Sequence, residues 1–161
     1  MTKLMFALPA AALLAAAPAY AAPMTPADYV KTAGASDLYE KTSSQIVLQT
    51  TTDPKVKSFA SMMVADHSKS TANVKAAAMK SKVMVAPPML TPAQTEMVAQ
   101  LRAETGPNRD AAYIAQQKTA HGQALAVQKA YAMEGTAAPL KAVAATIVPV
   151  VEHHIAMLKT M

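Results

Sequence analysis

Three times in this chain a helix-capping side chain is followed at once by proline: Thr25-Pro26, Asp53-Pro54 and Thr91-Pro92. A Thr or Asp oxygen can accept from a free amide of the first turn. Proline fits the first helical position, where its missing N–H loses nothing. Each pair therefore reads as a helix start. The first helix runs from Thr25-Pro26 to about Gln49 and breaks at Thr50-Thr51-Thr52. The second opens at Asp53-Pro54, and Val56, Phe59, Ala60, Met63, Val64, Val74 and Ala78 recur at helical spacing along one face. Val83 to Leu90, with Pro87-Pro88, reads as a connection. Thr91-Pro92 starts a shorter helix ending at Gly106-Pro107. Asn108 or Asp110 then caps a third long helix that reaches Glu134, with Gly135 as its C-terminal cap. Thr136 opens the fourth, whose stripe is Leu140, Val143, Ala144, Ile147, Val151 and Leu158. Pro149 lies inside that stripe and should kink it.

Composition agrees with an all-α fold. There are two Phe, five Tyr and no Trp, while Ala and the 12 Met favour helices over sheets. Short connections between amphipathic helices predict antiparallel neighbours. The expected architecture is an up-and-down four-helix bundle with a short extra helix between long helices two and three. A three-helix or swapped dimeric arrangement is the structural alternative.

The first 21 residues read as a secretory signal peptide. Lys3 supplies the positive start, Leu4 to Ala17 the apolar run, and Ala19-Tyr20-Ala21 the small-residue cleavage site. Residues 22–161 then form a single domain, exported to the periplasm. No later segment reads as long and apolar enough to span a bilayer. Without Lys3, 14 of the 15 Lys and Arg remain, a mild excess over the 10 Asp and Glu. That balance does not indicate nucleic-acid binding. The lysines of the second helix (Lys55, Lys57, Lys69, Lys75, Lys80, Lys82) read as a solvated face. Zero Cys excludes thiolate metal sites, thiol redox chemistry and Cys nucleophiles. Ser43-Ser44 and Ser61 lack a nucleophile elbow, and isolated Gly106 and Gly135 make no phosphate loop. These absences favour a binding module over an enzyme. An envelope protein or a second copy of the chain is the expected kind of partner.

Several segments together resemble the bacterial family catalogued as domain of unknown function 4142, often labelled an outer-membrane protein. They are Asp53-Pro54-Lys55-Val56-Lys57-Ser58-Phe59-Ala60, Met63-Val64-Ala65-Asp66-His67, Asp110-Ala111-Ala112-Tyr113 with His121, and Val148-Pro149-Val150-Val151-Glu152-His153-His154. The resemblance spans about Asp28 to Leu158 and implies a ferritin-like fold. It also implies that an acidic residue of the first helix and three histidines are family features, here Glu40, His67, His121 and His154. The chain departs from that pattern at Arg109, where the family has an aromatic, at Thr42, where a second acidic residue often stands, and at His153. No run of alternating residues offers strands for a membrane barrel.

The residues themselves support an inward placement of the histidines. His67 is four residues after Met63 and seven before Val74; His121 is four before Leu125; His154 is seven after Ile147 and four before Leu158. Glu40 lies on a mixed face with Ala33, Ser36, Ser44 and Val47. Counting at ~1.5 Å per residue from the two hairpin turns allows all four to share one layer. Three imidazoles and a carboxylate suit Zn, Cu, Fe or Mn, with Asp66 as an outer acceptor fixing a tautomer. The alternative is a hydrogen-bonded polar network without metal. The di-iron signature Glu-x-x-His is absent, which argues against ferroxidase chemistry. Adjacent residues on a helix point about 100° apart, so His153 should face the surface while His154 faces in. Methionine reads as flexible core filler.

Overall fold

The computed structural model describes residues 23–161; the expected signal peptide lies outside the described residues. Five helices follow in order: α1 (Pro26–Leu48), α2 (Pro54–Lys80), α3 (Pro92–Ala103), α4 (Gly106–Glu134) and α5 (Ala138–Leu158). There is no strand among the described residues. The three cap–proline pairs act as expected. Thr25 accepts from the Asp28 amide, Asp53 from those of Lys55 and Val56, and Thr91 forms a reciprocal capping box with Gln94.

Gly106-Pro107 begins a helix instead of ending one. α3 stops at Ala103, and α4 starts at Gly106, ahead of the expected cap at Asn108 or Asp110. Gly106 takes φ +53°, which turns the chain into the helix, and Pro107 sits harmlessly in the first turn. Asp110 is not a cap; it accepts from the Thr51 hydroxyl at 2.9 Å. α5 likewise starts at Ala138, two residues after Thr136. It continues through Pro149.

Gly135 ends α4 for a reason other than handedness. Its φ is −57°, open to any residue, but a Cβ there would stand 2.5 Å from the Tyr131 carbonyl oxygen and 2.7 Å from the Tyr131 ring. Close approach is what requires glycine. Gly135→Ala should therefore destabilise the fold by about 1–3 kcal/mol, the scale of overpacking. A urea midpoint equal to that of the wild type would refute this.

The four long helices pack in a ring: α1 against α2 and α4, and α5 against α4 and α2. Pairings along α1 fix the directions. Asp37 meets His67 while Val47 clusters with Val56, and Tyr29 meets Gln128 while Ser44 meets Tyr113. Both α2 and α4 thus run opposite to α1, and parallel to each other. The all-helical bundle with an inserted short helix is as expected. The step from α2 to α4, however, is a crossover along the bundle rather than a simple up-and-down return. Residues 81–91 and α3 carry it, and α3 packs on α1 and α4.

The core falls into two apolar clusters. One holds Tyr39, Ile46, Val56, Phe59, Met63, Leu101, Tyr113 and Leu158; the other holds Tyr29, Val30, Val74, Tyr131, Leu140 and Ala144. Between them, on all four long helices, comes a buried polar layer. The α1–α4 seam is polar almost throughout: Tyr29 bonds Gln128, Tyr39 bonds Gln116, Gln117 bonds Ser43 and Ser44 pairs with Tyr113. Arg109, the residue where the family pattern has an aromatic, is buried at the end of that seam. It donates to the carbonyls of Glu104 and Ile46 and to the Thr50 hydroxyl.

One expectation needs correction. α5 is long and apolar enough to cross a membrane by length and composition, with a mean hydropathy of 1.3 in its best window. Its Ala, Val and Ile content produces this. In the fold it packs on α4 and α2, with Leu140, Ala144, Val151, His154 and Leu158 buried. Methionine fills the core at Met63 and packs against it, partly buried, at Met24, Met62, Met97, Met157 and Met161, while Met79, Met84, Met89 and Met133 are exposed. The α2 lysines are all exposed.

Candidate metal centre

The buried stripe of α2 runs Val56, Phe59, Ala60, Met63 and then His67, so the helical period carries an imidazole to the bundle axis. α4 delivers His121 on the face of Tyr113 and Gln117, and α5 delivers His154 between Val151 and Leu158. The three rings meet. Their centroids lie 6.0, 5.8 and 5.3 Å apart, and one ring nitrogen of each falls within 4.8 Å of the other two. His121 and His154 are each 1% exposed and His67 is 7% exposed. Phe59 closes one side with its ring 6.3 Å from that of His121 and 6.2 Å from that of His154.

Each ring has one nitrogen already committed. Nδ1 of His67 lies 2.8 Å from Asp37 Oδ1, Nδ1 of His121 lies 2.9 Å from the Gln117 carbonyl, and Nε2 of His154 lies 3.1 Å from Asp66 Oδ2. Carbonyls and ionised carboxylates only accept, so the rings donate at these atoms. In the neutral rings the lone pairs are then on His67 Nε2, His121 Nε2 and His154 Nδ1. The last two are 3.3 Å apart, and His67 Nε2 is buried with no hydrogen-bond partner. With all three rings neutral, three acceptors face one another.

The electrostatics follow from burial and from the carboxylates. Desolvation pushes the His121 pKa down to about 3, helped by the charge of His67. Desolvation also lowers His154, against the pull of Asp66. Burial opposes a charge on His67 too, but the Asp37 hydrogen bond and the nearby Glu40 and Asp66 outweigh it, and its pKa rises.

Glu40 lies in the same layer and is 1% exposed. Neither of its oxygens has a hydrogen-bond partner, and burial pushes its pKa from 4.5 up to about 7, against the charge of His67. Its Oε1 stands 3.6 Å from Nδ1 of His121, the nitrogen already committed to Gln117. Glu40 thus borders the trio instead of sharing its inner face. His153 is exposed. Asp66, expected as an outer acceptor, bonds His154.

Asp37 is the residue that sequence reading missed. It is buried, holds His67 through Oδ1 and accepts from the Thr71 hydroxyl through Oδ2 at 3.1 Å. One signal was available: Asp37 stands one helical turn before Glu40, on the same face of α1.

Solved structures offer a fold comparison. A DUF305 protein from Streptomyces coelicolor, provisionally described as secreted, superposes with a TM-score of 0.69 at 16% identity, over 85% of this chain and 90% of its own. At that identity the likeness concerns the fold alone. No curated protein matches this chain in sequence. The model of the domain of unknown function DUF4142 matches residues 11–161, nearly the whole chain, and this protein therefore belongs to the DUF4142 family.

Proposed function

We propose that this protein is an exported helical-bundle module that binds one divalent transition-metal ion through His67, His121 and His154. One observation carries the reading: each histidine has its outer nitrogen engaged, so the neutral rings turn three lone pairs toward one another in a buried interior. A cation relieves that arrangement. Two nitrogens bound to one tetrahedral ion at about 2.0–2.1 Å stand about 3.3 Å apart. The His121–His154 pair has that spacing, 3.3 Å. Asp37 and Asp66 serve as the outer carboxylates that orient metal-bound imidazoles and raise their basicity. Their two negative charges beside three neutral rings match a divalent ion. Glu40, unpartnered and buried, is the carboxylate able to turn in as a fourth ligand. Imidazole donors suit Zn, Cu and Fe; a carboxylate also admits Mn. Export rests on the leader pattern of residues 1–21 and on the description given to the DUF305 protein.

Equilibrium dialysis of chelator-treated protein against Zn, Cu, Fe or Mn tests this. One ion per chain is expected, with retention lost in His67→Ala and His121→Ala. Asp37→Asn should weaken binding about 10–100-fold, the usual cost of losing an outer acceptor. Retention of none of the four ions would leave the polar network as the reading, with one proton shared between His121 and His154.

A further inference from the structure

A glycine in the middle of a helix is a poor helix former and asks for a reason. Gly34 of α1 has one. A Cβ at that position would lie 3.3 Å from the Cβ of Pro88, so its absence lets the crossover segment lie down on α1. Residues 84–89 form an exposed, wholly apolar strap there. Among the described residues, no hydrogen bond ties 84–90 to the helices. Apolar contact holds it, through Pro88 on α1 and at its ends through Val83 in one core cluster and Leu90 in the other, with the Val83 amide donating to the Ala78 carbonyl at 2.9 Å. Segments held in this way open at low cost.

Under the strap, between α1 and α2, is a groove of about 460 Å³. Its walls include Val30, Val74 and the strap itself, but Asp37 and Thr71 also line it. Those two are bonded to each other, and Asp37 holds His67, the least buried of the three histidines. The groove therefore runs from solvent to a carboxylate one hydrogen bond away from the centre. Asp66, on the other side of the layer, has a side chain 37% exposed but does not line this groove, and His154 beneath it is 1% exposed.

We propose that this groove is the port through which the metal ion exchanges with the three-histidine centre. Asp37 is the first carboxylate the ion meets, and the strap is the roof that parts. The proposal rests on the metal reading above. A hydrated divalent ion sheds water next to an anion more readily than against an apolar wall, and Asp37 provides that anion at the inner end of the groove.

The test exploits the absence of cysteine from the chain. The spacing at Gly34 and Pro88 is close to the ~3.5–4.5 Å that a disulfide spans between Cβ atoms. A Gly34→Cys/Pro88→Cys variant can therefore be stapled by oxidation and released by reduction. Cobalt(II) uptake is followed by its visible absorption, with wild-type protein treated identically as reference. At least tenfold slower uptake is expected in the stapled form, with an unchanged end point and recovery after reduction. Gly34→Val, which fills the groove without adding a thiol, should slow uptake in the same direction if the staple fails to form. Equal rates in all folded forms overturn the port while leaving the centre standing. No cobalt band in the wild-type protein overturns the centre and the port together.

Discussion

Adding a ligating ion to chelator-treated protein is expected to raise its melting temperature by about 5–10 °C. An ion at 100 times its dissociation constant that binds only the folded state contributes about 2.7 kcal/mol. For a domain of this size each kcal/mol shifts the midpoint by roughly 2–4 °C. The shift should vanish in a His67→Ala/His154→Ala variant, because those rings come from α2 and α5 and meet only in the folded bundle. The variant without metal should be less stable than the wild type, because it empties two buried ring volumes and leaves buried Asp37 without His67, so its own metal-free midpoint is the reference. Against that, removing two rings also removes an inward acceptor that has no partner, His67 Nε2. A wild-type midpoint indifferent to every ion would count directly against the centre. So would an equal shift in the double variant, by placing the ion elsewhere.

Acid is expected to act on the metal-free protein in two opposing directions, with His121 the chief destabilising group. In the unfolded chain this group titrates at 6.5, whereas burial holds it near 3 in the fold. Below 6.5 the unfolded state therefore binds a proton that the folded state refuses. Stability falls by about 1.4 kcal/mol per pH unit until the folded value is reached. Between pH 6.5 and 4.5 that loss is on the order of 2–3 kcal/mol. His154, also lowered, acts in the same direction. Glu40 acts oppositely. Its pKa is raised from 4.5 to about 7, so its contribution is fully present below 4.5 and is lost as the pH rises through 7. The raised His67 also gives stability on the acid side, lost as the pH rises through its folded value. The variants separate these effects. His121→Gln should remove about 2–3 kcal/mol of the acid-side loss between pH 6.5 and 4.5, while Glu40→Gln should remove the opposing fall in stability between pH 4.5 and 7. Urea unfolding at pH 4.5, 6.5 and 8 measures both. An acid limb unchanged in His121→Gln would mean that burial does not hold this ring neutral.

The cap–proline pairs and the apolar spacing fixed where α1, α2 and α3 begin, because capping and proline geometry are local. Gly106-Pro107 misled for the same reason: the pair ends or begins a helix with equal local ease, and packing against α1 decided it. The His67 and His154 faces could be read from neighbours four and seven residues away. So could His153 facing outward, since adjacent residues on a helix cannot share a direction. The step from α2 to α4 could not be read, because the order of helices around a ring depends on contacts between residues distant in sequence. Asp37 escaped because an acidic residue on a helix of mixed polarity reads as solvated. Only α2 lying alongside makes it the partner of His67.

The sequence by itself determined that the chain is helical, where most helices start, and that three imidazoles face inward. These follow from capping, period and side-chain direction, which act within a few residues. Tertiary structure alone decided that the three rings lie at one height, which nitrogen of each carries the lone pair, and that Glu40 stands beside the trio. It also decided that Gly34 exists to seat Pro88. Each of these depends on distances between helices, and only the packed bundle fixes those distances.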